Sequence, residues 1–361
     1  MVKKIGVITG GGDCPGLNAV LRAVVKTAMV KYGWEVLGFK DGYRGLVMND
    51  YVRFGAGDVS GILDKGGTIL GTSNRDNPFN FRIEKDGKVE FKDMSERVVD
   101  NVSMHGIDCM VLIGGDGTLT SARDFSRLGM KVVGVPKTID NDLSATDTTF
   151  GFMTAVETAT EAIDKLHSTA EAHHRVMILE VMGRYAGWIA LESGIAGGAD
   201  VILIPEIPYD IASVVKKINE RKQSGRSFSI VVAAEGAKSK TGEVVVSKVV
   251  KDSPDPIRLG GIGNKIADEI EKATGIETRV TVLGHLQRGG RPSPFDRVLS
   301  TRYGVAAAEL INEEKFGVMV SLQGNTITSV SLEEAVGKLK TVPPDGELVR
   351  IAKSVGVGFG D

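Results

Sequence analysis

The sequence predicts an α/β protein whose parallel sheets are covered by helices on both faces, and three observations carry that prediction. Short apolar runs rich in Val and Ile alternate with segments of helical periodicity. Strand, helix, strand in that order forms a parallel sheet, because a parallel pair needs a crossover long enough to hold a helix. The chain also has 361 residues, more than one hydrophobic core usually organises, so two domains are expected.

The strand-like runs are Ile5–Thr9, Glu35–Phe39, Met110–Ile113, Lys131–Val135, Val176–Val181, Val201–Ile204, Ser229–Ala233, Thr278–Leu283 and Gly317–Leu322. Between them, Leu17-Val20-Leu21-Val24-Val25-Ala28, Val156-Ala159-Ile163-Leu166 and Ile262-Ile266-Ile270 keep the spacing of amphipathic helices. The polar stretch 238–258, with Ser239-Lys240-Thr241-Gly242 and Ser253-Pro254-Asp255-Pro256, reads as an exposed hairpin or excursion. Pro343-Pro344 and a glycine-rich end make 325–361 read as a surface tail.

Composition narrows the function classes. At 42% hydrophobic and 25% charged the chain is globular, and its net charge of -2 supplies no general field for nucleic acid or an anionic membrane. Small-molecule partners are expected instead. Cys14 and Cys109, each beside a strand-like run, read as buried thiols in a reducing compartment. The start, MVKKIGVITG, is too short in apolar residues for a signal segment, and no run reaches the length of a membrane helix. A cytoplasmic protein is the expectation.

In open α/β sheets ligands bind beyond the carboxyl ends of the strands, so the loops that follow the apolar runs are the ones to inspect. After Ile5–Thr9 comes Gly10-Gly11-Gly12-Asp13, where glycines let the backbone approach an anion at a helix N-terminus. It has neither the Lys-Ser/Thr ending of a Walker A loop nor a dinucleotide fingerprint. After Met110–Ile113 comes Gly114-Gly115-Asp116-Gly117-Thr118: room for phosphate oxygens, a hard carboxylate suited to Mg²⁺, and a threonine expected to cap the next helix. After Val176–Val181 comes Met182-Gly183-Arg184.

The stretch after Lys131–Val135 is Pro136-Lys137-Thr138-Ile139-Asp140-Asn141-Asp142, with more charge than a turn requires. Asp140 and Asp142, two apart, can take separate roles, one towards a metal and one towards a hydroxyl proton. Lys137 can neutralise a transferring phosphoryl group. Carboxylates and a cation around a metal-bound phosphate form a phosphoryl-transfer constellation.

In order and spacing, these loops together with Gly10-Gly11-Gly12-Asp13-Cys14-Pro15-Gly16-Leu17-Asn18, Met182-Gly183-Arg184-Tyr185-Ala186-Gly187 and Leu283-Gly284-His285-Leu286-Gln287-Arg288-Gly289-Gly290 resemble the 6-phosphofructokinase family over residues 3–325. The GGDGT loop is shared with NAD and lipid kinases, but those have no reason for MGRYAG or LGHLQRGG. The resemblance implies two doubly wound, mostly parallel sheets facing a cleft. It divides them into a phosphate-donor domain of 1–150 plus about 287–335 and a sugar-phosphate domain of 151–286 plus about 336–361.

It implies residue roles as well. Asp140 would take the proton of the sugar 1-hydroxyl, and an aspartate with the reference pKa near 3.9 is ionised at neutral pH. Thr138, Asp142, Arg184 and Lys137 would surround the transferred group. ATP would lie along Gly12, Tyr43, Arg75, Gly115, Asp116, Gly117 and Thr118, with Mg²⁺ held near Asp116. Fructose 6-phosphate would be bound by Thr138, Met182, Gly183, Arg184, Glu235, His285 and Arg288, with Arg175 and Arg279 reaching across from a neighbouring subunit. A homo-oligomer, dimer or tetramer, follows.

Two residues pull the donor in opposite directions. By resemblance, Gly117 leaves space for the α-phosphate of ATP, whereas Lys137 stands where pyrophosphate users carry a lysine. A steric filter is the harder one, so ATP is the expected donor and pyrophosphate the alternative. Asp76 stands after Arg75 where familiar bacterial members place an aromatic residue at the adenine.

Overall fold

A computed structural model describes residues 2–85, 88–242, 246–249 and 257–361. The chain divides into two compact units, one of Met1–Ile139, Leu143–Met153 and Arg288–Lys338, the other of Asp140–Asp142, Thr154–Gln287 and Leu339–Asp361.

The first unit runs through β1 (Lys4–Thr9), α1 (Leu17–Lys26), β2 (Glu35–Phe39), α2 (Tyr43–Met48), β3 (Tyr51–Arg53), β4 (Phe81–Lys85), β5 (Lys88–Lys92), α3 (Ser95–Met104), β6 (Cys109–Gly114), α4 (Asp116–Arg127) and β7 (Val132–Pro136). Helix α5 (Phe152–His173) leads into the second unit. That unit continues with β8 (Val176–Val181), α6 (Trp188–Ala196), β9 (Val201–Leu203), α7 (Ile211–Gln223), β10 (Ser229–Ala234), β11 (Val246–Val249), β12 (Ile257–Leu259), α8 (Ile262–Thr274) and β13 (Thr278–Val282). The chain returns to the first unit as α9 (Pro294–Asn312), β14 (Val318–Gln323), β15 (Thr326–Ser331) and α10 (Leu332–Ala335), and ends in the second with α11 (Glu347–Ser354).

Strands β6 and β8 are buried at every position, which is why they read as continuous apolar runs rather than alternating ones. The first unit's sheet has the order β15-β14-β7-β6-β1-β2-β3, with β1, β2, β6, β7 and β14 parallel and the edge strands β3 and β15 antiparallel. Its core gathers Ile8, Leu37, Phe39, Leu112, Phe125, Met319 and Leu332. The second unit's sheet, β13-β8-β10-β9, is parallel throughout, over a core of Val176, Ile178, Leu203, Val231, Ile262, Ile266 and Ile270. Among the described residues no helix is long and apolar enough to cross a membrane.

The C-terminal stretch differs from the surface tail expected of it. Residues 326–331 form an antiparallel edge strand, Ser331 and Glu334 close a capping box at α10, and Leu332, Val342, Val349, Ala352 and Phe359 are buried. Those apolar residues were hidden by the surrounding Pro and Gly. In the polar stretch 238–258, β11 and β12 pair antiparallel as a hairpin does, while Ser253-Pro254-Asp255-Pro256 lies outside the described residues. Both cysteines are free and buried, and burial pushes the Cys14 thiol up to about 12.

Candidate active site

In the first unit β1 has β6 on one side and β2 on the other, and the chain's crossovers diverge there, so the loops after β1 and β6 flank a topological switch point. Gly10 N donates to Ile113 O at 2.8 Å, tying the two loops together. Gly11 N donates to Ser73 O at 3.0 Å and Thr72 Oγ1 to Gly11 O at 2.7 Å, which brings the exposed Arg75 to the same rim. A Cβ on Gly114 would run into the side chain of Thr118, so this turn admits no larger residue without moving the first turn of α4.

That first turn begins three positions earlier than expected. Gly115 occupies the N-cap without a side-chain bond, so Asp116, Gly117 and Thr118 are already helical and Thr118 is not the cap. A carboxylate there sits at the positive end of α4. Asp116 Oδ1 accepts from Gly337 N at 3.3 Å. No group of three or more metal-binding side chains occurs among the described residues. A lone carboxylate fits Mg²⁺ that is shared with phosphate oxygens and water rather than caged by protein.

Tyr43, expected in the nucleotide pocket, is instead a core residue, 5% exposed, packed on Phe125 and donating its hydroxyl to Thr118 O at 2.8 Å. It braces the Gly114–Thr118 loop from behind. Lys137 is 3% exposed; its N–H donates to Gly114 O at 2.9 Å and its ammonium to Gly12 O, so one residue joins both glycine loops. Thr138 O accepts from Thr149 Oγ1 at 2.7 Å. Arg288, expected with the sugar-phosphate residues, belongs to the first unit, where Nη1 donates to Asp13 O at 3.1 Å. The chain leaves the second unit one residue earlier, at Gln287.

In the second unit the loops after β8, β10 and β13, three adjacent strands, carry Met182-Gly183-Arg184, Glu235 and His285. Gln287 Oε1 accepts from Met182 N at 3.0 Å and Glu235 N donates to Val181 O at 2.8 Å. Gly183 has φ 132, and a Cβ on Gly236 would meet the Arg184 carbonyl. His285 is exposed on a 3-10 turn. Asp140, Asn141 and Asp142 belong to this unit although Lys137, Thr138 and Ile139 belong to the other.

Arg175 and Arg279 do not join that rim. Arg175 precedes β8 while Met182 follows it, and six residues of strand span roughly 20 Å. Both arginines are paired with Glu277, Arg175 Nε at 2.7 Å. A cavity of about 460 Å³ at that opposite edge, lined among others by His174, Arg175, Phe228 and Glu277, is therefore remote from Met182–Arg184.

Several supporting residues escaped the sequence reading. Glu206 accepts from Gly187 N at 3.0 Å and Val342 N at 2.8 Å, and burial raises its pKa despite these bonds. Glu180, 2% exposed, accepts from Gly261 N at 3.0 Å and Gly263 N at 2.8 Å at the start of α8. A single acid inside the apolar run VMILEV was a legible signal for it.

The chain matches the family model described as Phosphofructokinase over residues 4–311. It is 63% identical over 362 residues to ATP-dependent 6-phosphofructokinase 2 of Clostridium perfringens, covering 100% of this chain and 99% of that one. It is 50% identical over 358 residues to the pyrophosphate–fructose 6-phosphate 1-phosphotransferase of Streptomyces coelicolor, over 99% and 100% of the two chains. Among solved structures, phosphofructokinase from Saccharomyces cerevisiae superposes with a TM-score of 0.77 at 32% identity, over 98% of this chain. This chain spans 46% of the yeast one.

Proposed function

Because the chain belongs to the phosphofructokinase family, we propose that it transfers the γ-phosphoryl group of ATP to the 1-hydroxyl of fructose 6-phosphate, giving fructose 1,6-bisphosphate in glycolysis. The observation that carries this reading is the course of the chain after β7. Within six residues it lays the Lys137 ammonium on the Gly12 carbonyl of the glycine loop and delivers Asp140–Asp142 to the unit of Met182–Arg184.

The first unit is the donor domain and the second the sugar-phosphate domain. Gly12, Arg75, Gly115, Gly117 and Thr118 line the ATP phosphates, with Tyr43 as their brace. Asp140 accepts the proton of the 1-hydroxyl as that oxygen bonds to the γ-phosphorus, and ADP departs with the electrons of the broken P–O bond. Thr138 and Asp142 orient the reacting groups, and Lys137 and Arg184 balance the charge that spreads over the transferring phosphoryl. Asp116 would hold Mg²⁺, which supplies charge neutralisation of the donor phosphates when bound.

Met182, Gly183, Arg184, Glu235 and His285 bind the sugar phosphate, with Arg288 neutralising phosphate charge. Arg175 and Arg279 serve the sugar phosphate of a neighbouring subunit in a homo-oligomer, and the strand length that separates them from Met182 supports this. A cytoplasmic location fits a glycolytic enzyme.

Pyrophosphate is the second reading, favoured by the buried Lys137 ammonium and by the Streptomyces relative. Gly117 supports ATP: it is exposed, and a Cβ there would meet nothing within 4 Å. The test is the initial rate of fructose 1,6-bisphosphate formation with Mg²⁺ and each donor, repeated with Lys137→Gly. ATP should support turnover in both proteins. Turnover with pyrophosphate alone, lost in Lys137→Gly, would reverse the donor assignment.

A further inference from the structure

The C-terminal segment that joins the second unit reaches the TIDND turn itself. Lys340 N donates to Asp142 O at 2.8 Å, and its ammonium donates to Asn141 Oδ1 at 2.9 Å. Its own carbonyl accepts from Trp188 Nε1 at 2.9 Å, and its ammonium lies 5.7 Å from the Trp188 ring centre. Two residues on, Val342 N donates to the Glu206 carboxylate that also holds Gly187 N. One short strap is thus bonded both to the acidic turn and to the start of α6, directly after MGRYAG.

Asn141 has φ 50 and is 4% exposed. Asparagine enters the left-handed region more readily than most residues, but such a conformation persists in a buried turn only where the surroundings over-determine it. It also decides where the carboxylates on either side point. Lys340 supplies a side-chain bond to Asn141 and a main-chain bond to the next residue, so it holds the turn at the residue where the backbone is least free to choose.

We propose that Lys340 is a positioning residue for phosphoryl transfer, holding the Asp140-Asn141-Asp142 turn in register with the loop of Met182–Arg184. This rests on Asp140 being the base. A displaced base slows the chemical step more than it weakens ground-state binding. Lys340→Met keeps the alkyl stem beside Trp188 and removes the ammonium, so kcat should fall about tenfold with KM for both substrates within about twofold. Lys340→Arg should restore most of the rate.

The test measures steady-state kinetics and thermal midpoints of Lys340→Met, Lys340→Arg, Asn141→Gly and the double variant Lys340→Met/Asn141→Gly, with Asp140→Asn alongside. Glycine keeps the left-handed turn and removes the acceptor, so the double variant should be no slower than the slower single one. The proposal is overturned by a folded Lys340→Met of unchanged kcat, by independent losses multiplying in the double variant, or by a loss that follows a lowered midpoint and is not rescued by arginine. If Lys340→Met does not fold, the Asn141→Gly rate decides: wild-type kcat there sinks the idea. Asp140→Asn separates the two readings, since full turnover in it removes the base assignment, whereas an inactive Asp140→Asn beside an unslowed Lys340→Met removes only the role of Lys340.

Discussion

The two units build their rims from different materials. In the first, the rim is made of backbone: Gly10, Gly11, Gly114 and Gly115 bring main-chain groups together, and Lys137 and Arg288 donate to the carbonyls of Gly12 and Asp13. In the second, the rim is hung from side chains, with the buried Gln287 on Met182 N and the half-buried Glu206 and Lys340 on Gly187 N and Asn141. A row of phosphates presents the same oxygens along its length and can be met by repeated N–H groups. A sugar phosphate has hydroxyls in particular directions, and directed side chains need a supporting layer.

Asp140→Asn tests the difference most strongly. With Asp140 as the proposed base it removes chemistry from the second unit alone, so kcat should fall by roughly 10²- to 10⁴-fold while ATP binding, followed by titration calorimetry, stays near wild type. Loss of ATP binding would mean that the division of labour is wrong. Gly117→Asp does the converse. Open space around Gly117 lets the protein fold, so repulsion of the α-phosphate should lower kcat/KM for ATP on the order of 10²-fold while sparing pyrophosphate.

Two alanines give a smaller, paired effect. A Cβ at Gly114 pushes on Thr118 and one at Gly236 pushes on the Arg184 carbonyl. Gly114→Ala should raise KM for ATP roughly tenfold or more and leave fructose 6-phosphate alone, and Gly236→Ala should do the reverse, because Thr118 in one and the Arg184 main chain in the other must shift to admit the methyl. Equal effects on both substrates would erase the contrast.

The smallest effect is on stability. Burial raises the pKa of Glu192, Asp200 and Glu206 in the second unit. The native state then holds these protons more tightly than the unfolded chain. The contribution is therefore full below the ordinary carboxylate values of 3.8 to 4.5 and is lost as pH rises through the raised ones. Asp108 in the first unit runs the other way: the N–H groups of Lys3 and Lys4 hold its pKa down against desolvation, so its contribution is present above 3.8 and lost as pH falls through the lowered value. Trp34 and Trp188 report on the two units separately in single-tryptophan variants. Raising pH through the carboxylate range should lower the Trp188 midpoint relative to that of Trp34.

Much of this was legible in the residues. All nine strand-like runs became strands within a residue or two, and β6 and β8, buried at every position, are apolar apart from Glu180 for that reason. Other features were not legible. The edge strands β3 and β15 carry no such run, since none of their residues is fully buried. Thr118 read as a cap because the loop's glycines hid where helical geometry begins, and Tyr43 was placed at the nucleotide by resemblance alone, which carries no information on whether its ring faces a pocket or a core. Lys340 sits among Pro and Gly residues, where only composition speaks.

By itself the sequence determined the alternation of elements, the loops that carry glycine, acid and lysine, and the chemistry those residue types perform. These are properties of neighbours in the chain. Only the tertiary structure decided that Asp140 belongs with Met182 while Lys137 belongs with Gly12, that Arg175 lies a strand's length from Arg184, and that Lys340 holds Asn141 from 199 residues away. A hydrogen bond depends on distance and direction in space, and chain separation of that size leaves no mark in local spacing.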